Sequence, residues 1–391
     1  MSKRVVYLDN NATTRVAPEV AEAMEPYFHD LYGNPSSMHS FGGQVRKAVE
    51  QAREQVAALL RADPSEIVFT SCGTESDNAA IRGTLEAYAG RKDHIITTRV
   101  EHPGVRSVCR YLANNGYRVT ELPVDSEGLL DLGMLEDAIT DDTAIVSIMW
   151  ANNETGVIFP IEEIADICRR KGVVFHTDAV QAVGKVPIDL SRTPVELLAL
   201  SGHKLHAPKG VGVLYIRKGT RCAPFILGGH QENGRRAGTE NVPYIVGLGR
   251  AAELAADHME EETTRVRAMR DRLEEGILAS CPDSTVNGSR QHRLPNTTNI
   301  GFEFVEGESI LLMLDDLGIC ASSGSACTSG TLEPSHVLRA MGVPFTRAHG
   351  SIRLSLSRYN TDEELDHVLE HMPRIIHRLR ELSPFVPLEK A

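Results

Sequence analysis

Between Ile67 and Ile216 the apolar positions fall in short runs, separated by stretches of helical period. The runs are Ile67–Thr70, His94–Thr98, Tyr117–Leu122, Thr143–Trp150, Val173–Thr177, Val195–Leu200 and Val211–Ile216. Several are apolar throughout and rich in Val and Ile, the pattern of strands covered on both faces. Between two of them, Ile161–Lys171 repeats at helical spacing and is followed by Gly172, where a helix C-cap favours glycine. Strands alternating with helices predict βαβ units and a mostly parallel sheet. Near Asn241 the pattern changes. Val242–Ser280 reads as one long helix. Strand patterns at Thr298–Val305 and Ser351–Ser357 then mix with helices at Ser309–Leu317 and Asp362–Leu382, which predicts an α+β lobe. The segment Ala321–Gly330 consists almost wholly of small residues, so it has little to pack with and is expected to be a mobile loop.

A length of 391 residues allows two or three domains, or one large enzyme fold with an added lobe, at ~150 residues per domain. Apolar residues make up 41% and charged residues 24%, so the chain has the composition of a globular protein with a sizeable core. There are 41 basic and 53 acidic residues, and the net charge of -12 argues against phosphate-backbone binding as the main activity. No apolar run reaches the ~18–20 residues of a membrane helix. The start, MSKRVVYLDNNATT, lacks the apolar core of a signal peptide, so a cytoplasmic protein is expected. The seven cysteines are scattered without C-x-x-C spacing, which removes the metal-ribbon and thioredoxin readings. Cys72, Cys109 and Cys168 are expected to be small buried side chains.

Chemistry-bearing residues gather after the strand patterns. Lys204, in SGHKLHAPKG, follows an apolar strand, where open α/β sheets place their ligands. A lysine withdrawn from water there has a lowered pKa and can form a Schiff base. Asp178, in FHTDAVQ, closes another strand; it suits holding a proton on a pyridine nitrogen, and it also suits a helix N-cap. In TSCGTESDN, Gly73 and Thr74 open a helix, where anions are favoured. Thr74 and Asp77 also have capping-box spacing, and both roles are compatible. Ser201 and His203 stand beside Lys204. His102, in EHPGV, and Asn153, in WANNETG, follow two further strands. A histidine there could stack on a ring and shuttle protons.

Cys327 stands apart from the other cysteines. In a mobile polar loop it is poorly placed for packing and well placed to be reached by a substrate. Three near-misses carry no function. AVQAVGK has Ala179 where a P-loop needs glycine, and no Ser or Thr after Lys185. The GLG at 247–249 lacks a preceding strand, and His203 with His206 lacks a carboxylate partner for a metal.

Taken together, SGHKLHAPKG, HTDAVQAVGK, TSCGTESDN, VEHPGV, WANNETG, RRAGTEN and SSGSACTSG resemble the pyridoxal-phosphate-dependent cysteine desulfurases, most closely the NifS type associated with nitrogen fixation. The similarity runs from YLDNNATT to LSLSRY. It implies a fold-type I α/β transferase: a mostly parallel seven-stranded sheet in a large cofactor domain, residues 13–255, with a smaller α+β domain from residues 1–12 and 256–391. It also implies a homodimer and an iron–sulfur scaffold protein, NifU-like, as sulfur acceptor. Lys204 is then the Schiff-base lysine, Asp178 the partner of the ring nitrogen, Gln181 that of the ring hydroxyl, and His102 the stacking imidazole. Gly73, Thr74, Ser201 and His203 hold the phosphate, joined by Thr239 from the other subunit. Asn153 orients the cofactor. Arg353 clamps the substrate carboxylate with Asn34 beside it, and an arginine fork does match a carboxylate. Cys327 accepts sulfur from L-cysteine as a persulfide, releasing L-alanine.

The RAGHHCA-like motif of the other main branch is absent. The chain stops at Pro387–Ala391 without the longer tail of housekeeping relatives, so docking of a scaffold through such a tail is not expected. Two alternatives share these residues: an aminotransferase or selenocysteine lyase of the same fold, against which Cys327 argues, and a non-catalytic sulfur-relay subunit, against which Lys204 and Asp178 argue.

Overall fold

The computed structural model describes residues 5–323 and 334–384. Seven strands form one sheet. Their spatial order is Ile67–Thr70, Gly212–Ile216, Leu197–Ser201, Val174–Asp178, Thr143–Ser147, His94–Thr98 and Arg118–Leu122. The last five pair in parallel, and Gly212–Ile216 runs antiparallel to both of its neighbours. Six of these strands are wholly buried, and only the edge strand Arg118–Leu122 shows polar side chains to solvent. Unbroken Val/Ile runs are the expected consequence of helices on both faces.

One face packs Ile81, Leu85 and Val105 from helices Gly73–Ala87 and Pro103–Ala113 against Ile95, Ile145 and Leu214. The other packs Val45, Val49 and Val56 of helix Ser40–Leu60, together with Leu248 and Ala252 of helix Val242–Asp257, against Phe69, Phe175 and Tyr215. Helix Ile161–Lys171 ends as predicted, at Gly172 with φ 67.

A second hydrophobic cluster lies apart from the sheet. It joins Val6 and Leu8 to Leu273, Ile300, Leu314, Ile352 and Val368. Its strands Ser322–Ser323, Ser351–Ser355, Thr297–Phe302 and Ser284–Val286 form an antiparallel sheet, while Val6–Tyr7 pairs in parallel with Ile319–Cys320. Asp9 bridges to Ser355, so the first residues of the described chain are stitched to its last described strand.

Several predicted elements differ, among them the strand expected at Thr298–Val305, which runs Thr297–Phe302. The expected single helix Val242–Ser280 is interrupted after Asp257 and contains a π turn, Glu262–Val266, before Arg267–Ser280. The expected strand Thr143–Trp150 leaves regular pairing after Ser147. Ile148 and Trp150 stay buried and still donate to the carbonyls of His176 and Asp178, so their apolar character prolongs the pattern past the ladder.

Candidate active site

Of the six strands pointing toward the same sheet edge, all but the edge strand Arg118–Leu122 are followed by a turn that delivers a polar group to one cleft. After Ile67–Thr70, Cys72 caps helix Gly73–Ala87, its Sγ accepting from Glu75 N at 3.4 Å. The expected capping box from Thr74 to Asp77 does not form, because the helix begins at Gly73 and Thr74 already lies inside its first turn. Gly73 is required by close approach: a Cβ there would sit 2.6 Å from Val180 Cγ2. Its neighbours' N–H groups are among those a helix start leaves without intrahelical partners.

These ends enclose a cleft of about 310 Å³. Gly73, Thr74, His102, Asn153, Asp178, Gln181, Ser201, His203, Lys204 and Arg353 all line it, so ten residues singled out from sequence meet in one place. Asn34 and Thr239 do not; both are exposed elsewhere, and Asn34 Oδ1 accepts from Ser36 N at 2.9 Å. Cys327 and the rest of 324–330 lie outside the described residues.

The cleft depresses positive charge. Burial, then Lys185 and Arg353, bring Lys204 down to about 7 against the opposing pull of Asp9 and Asp178. Its Nζ donates to Asn11 O and, at 2.7 Å, to Ala12 O. Near pH 7 a large share of this amine is therefore neutral and nucleophilic. Burial lowers His102 as well. His102 Nδ1 accepts from Gly104 N at 3.0 Å, so the neutral ring carries its proton on Nε2. His203 is brought to about 4 by burial and by Lys204, and its Nδ1 lies 3.2 Å from Thr13 Oγ1.

Negative charge is also poorly compensated. Burial raises Asp178, whose Oδ1 accepts from Val180 N at 2.9 Å. Behind it, Asp77 Oδ1 and His176 Nε2 face each other at 3.6 Å with neither atom hydrogen-bonded. Arg353 reaches in from Ser351–Ser355. Its Nη2 pairs with Asp9 at 2.7 Å, its Nη1 donates to Asn153 O at 2.9 Å, and its buried Nε has no partner.

Some site groups were not anticipated. Asn11 contributes its backbone carbonyl, a group every residue carries, so no side-chain signal marks it. Asp77 was read only as a cap. Cys72, expected to be buried, is half-buried and lines the cleft, because the N-cap position carries it to the sheet edge. Among the described residues no cluster of His, Cys, Asp and Glu could hold a metal ion, and no helix is long and apolar enough to cross a membrane.

Residues 6–368 match the aminotransferase class-V family. This chain belongs to that family. Among curated relatives, a cysteine desulfurase of Nostoc sp. is 63% identical over 97% of this chain and 95% of its own length. The cysteine desulfurase NifS of Azotobacter vinelandii is 61% identical over 97% of this chain and 94% of its own. Among solved structures, a NifS-like protein superposes with a TM-score of 0.91 at 41% identity, covering 96% of this chain and 100% of that one. Another, SspA in complex with cysteine, gives 0.81 at 36% identity over 91% and 99%.

Class-V aminotransferases depend on pyridoxal phosphate, and the cleft suits it. The group is an anion joined to a ring that bears a cationic nitrogen and an aldehyde. Asp178, a buried carboxylate short of positive charge, matches the nitrogen. Lys204, a partly neutral amine, matches the aldehyde. Gly73, whose missing Cβ keeps the helix start open, matches the phosphate with Thr74.

Proposed function

We propose that this chain is a cysteine desulfurase: it takes sulfur from L-cysteine, releases L-alanine and holds the sulfur as a persulfide on Cys327 for transfer to an iron–sulfur scaffold protein of NifU-like type. One observation carries the reading. The amine of Lys204 and the carboxylate of Asp178 converge on a single cleft in a chain 63% identical to a cysteine desulfurase.

Pyridoxal phosphate, when bound, supplies an electron sink for the pair left on the substrate α-carbon. Asp178 would hold the ring nitrogen's proton, Gln181 would pair with the ring hydroxyl, and His102 would stack on the ring. Gly73, Thr74, Ser201 and His203 hold the phosphate, with Thr239 contributed by a second copy. Arg353, oriented by Asp9 and Asn153, presents its fork to the substrate carboxylate. Lys204 Nζ would take the α-proton and later return a proton to the same carbon, so that the released product carries its α-hydrogen. The Cys327 thiolate then attacks the substrate sulfur. An S–S bond forms, the C–S bond breaks with its electron pair left on carbon, and protonation there completes the methyl group of alanine. No outside oxidant or reductant enters.

The chain divides in this reading into a cofactor domain, 13–255, and a smaller domain, 1–12 with 256–391, which carries the Cys327 segment. The separate hydrophobic cluster around Leu273 and Ile352 supports that division. A homodimer is supported by exposed Tyr32, Met38 and Leu227, which a second copy would cover. The setting is cytoplasmic.

The test uses chain loaded with pyridoxal phosphate and given L-cysteine and a thiol. Alanine and sulfide appear in equal amounts, and Cys327→Ala keeps the chromophore while alanine release falls by about 100-fold or more, ~2.7 kcal/mol. Normal turnover by Cys327→Ala would remove its role as acceptor. Amino transfer to a 2-oxo acid in place of alanine release would make the enzyme an aminotransferase.

A further inference from the structure

The turn after strand Val174–Asp178 carries two polar side chains four residues apart, Gln181 and Lys185, a spacing that brings them together on one helical face. Gly184 lets this turn pack tightly. Its φ is 77, and a Cβ there would fall 2.4 Å from Leu205 Cδ2, beside Lys204. Lys185 is only 6% exposed, and its Nζ donates to Gln181 Oε1 at 2.8 Å. An ammonium has three donors and no acceptor, so it can only meet the oxygen end of the amide. Gln181 Nε2 is thereby turned the other way. It donates to Asn11 O at 2.9 Å, the same carbonyl that receives Lys204 Nζ, and it retains a second N–H.

Behind this chain lies a second cavity of about 20 Å³, room for one water, lined by Lys185, Lys204 and Glu262 among others. Glu262 is 5% exposed and opens the π turn, a local irregularity often found at functional sites. Charged groups reach Lys185 from several elements: Glu262 from the π turn, Arg353 from Ser351–Ser355, and Lys204 and His203 from the segment after Leu197–Ser201. Asp9 and Asp178 face Lys204, and Arg358 faces Glu262. Burial pushes Lys185 down to about 8 and Glu262 up to about 7.

No step described above uses Lys185. We propose that Lys185 is a positioning residue: by occupying Gln181 Oε1 it forces the Gln181 amide to meet the cofactor as a hydrogen-bond donor. This inference rests on the proposed reading of the cleft as the pyridoxal phosphate site. A donor at the ring hydroxyl stabilises its deprotonated oxygen. Without Lys185 only the bond from Gln181 Nε2 to Asn11 O opposes a turn that brings the amide oxygen inward, and with that oxygen inward the bound chromophore holds its proton to higher pH.

The experiment titrates the visible absorbance of the loaded protein with pH in wild type, Lys185→Met, Gln181→Ala and the double variant. Lys185→Met raises the midpoint by about one pH unit. In the Gln181→Ala background the same substitution moves it less than half as far, because the side chain it acts through is gone. Equal shifts in the two backgrounds, or none in either, overturn the proposal. If Lys185→Met does not fold, Lys185→Met/Glu262→Gln, which leaves no lone buried carboxylate, is read against Glu262→Gln in the same two backgrounds. A coloured wild type with an unmoved variant overturns this inference alone. A wild type that never takes up pyridoxal phosphate overturns the reading of the cleft and this inference with it.

Discussion

Among the described residues, two of the buried polar clusters are built on opposite terms. In the smaller lobe Glu274 is fully buried, yet its oxygens receive Arg293 Nη1 and Nη2, Arg290 Nε at 3.0 Å and Thr298 Oγ1 at 2.6 Å. Burial pushes its carboxyl up, but the hydrogen bonds from Arg293 and Thr298 and the charges of Arg293 and Arg290 outweigh it and hold the group below its ordinary value. At the sheet edge Asp178, Asp77 and Glu101 are buried with far less help, and burial raises all three, Glu101 to about 8. Glu101 Oε1 accepts from Thr98 Oγ1 at 2.7 Å and Met149 N at 3.1 Å, while Oε2 has no partner. A cluster that only holds chain together neutralises its carboxylate. One that awaits a charged guest keeps its charges unbalanced, and that imbalance marks the functional site.

Four substitutions break or sharpen this contrast. Lys204→Ala, which on the proposed reading removes both the covalent link and the base, lowers alanine formation by about 10⁴-fold, and steady-state assays of the loaded protein read the loss directly. Glu274→Ala leaves buried Arg293 with only the more distant Asp271, 3.7 Å away, and destabilises the chain by about 3–5 kcal/mol, measured by urea unfolding, while the molecules that fold keep near-normal kcat. Asp178→Asn does the reverse. Turnover falls by at least about 100-fold, ~2.7 kcal/mol, with little change in the unfolding midpoint.

The fourth concerns pH. The depressed carboxyl of Glu274 contributes stability that is present above the ordinary carboxylate range and is lost as pH falls through its lower folded value. Glu101 has the opposite sign. Its folded form binds a proton that the unfolded chain releases, so stability of cofactor-free protein falls as pH rises from 4.5 toward about 8. Glu101→Gln flattens that slope. An unchanged slope in urea unfolding at pH 5.5 and 8 would show that Glu101 is not the group responsible.

Much of this was legible beforehand, for physical reasons. Ile67–Thr70 and His94–Thr98 are bounded as predicted, because a strand covered on both faces must be apolar up to the point where the chain leaves the core. Helix Asp362–Leu382 is legible because Thr361 and Glu364 form a capping box at its start. The π turn at Glu262–Val266 was not, since one inserted residue barely disturbs helical period. In the cleft, side chains of unusual type at strand ends announced themselves. The carbonyl of Asn11 and the cap formed by Cys72 did not, because neither depends on a side chain that is rare in such a place. Lys185 was set aside as a failed phosphate loop. Its link to Gln181 depends on a turn whose packing only the fold reveals.

The central claim is that the unbalanced charges at the sheet edge are arranged around an aldehyde joined to Lys204. Its most direct test is borohydride reduction of the pyridoxal-phosphate-loaded protein followed by peptide mapping. The account predicts a single pyridoxyl label, on Lys204, in the peptide containing SGHKLHAPK. A label on Lys185, Lys209 or any other lysine, or none at all, would contradict it.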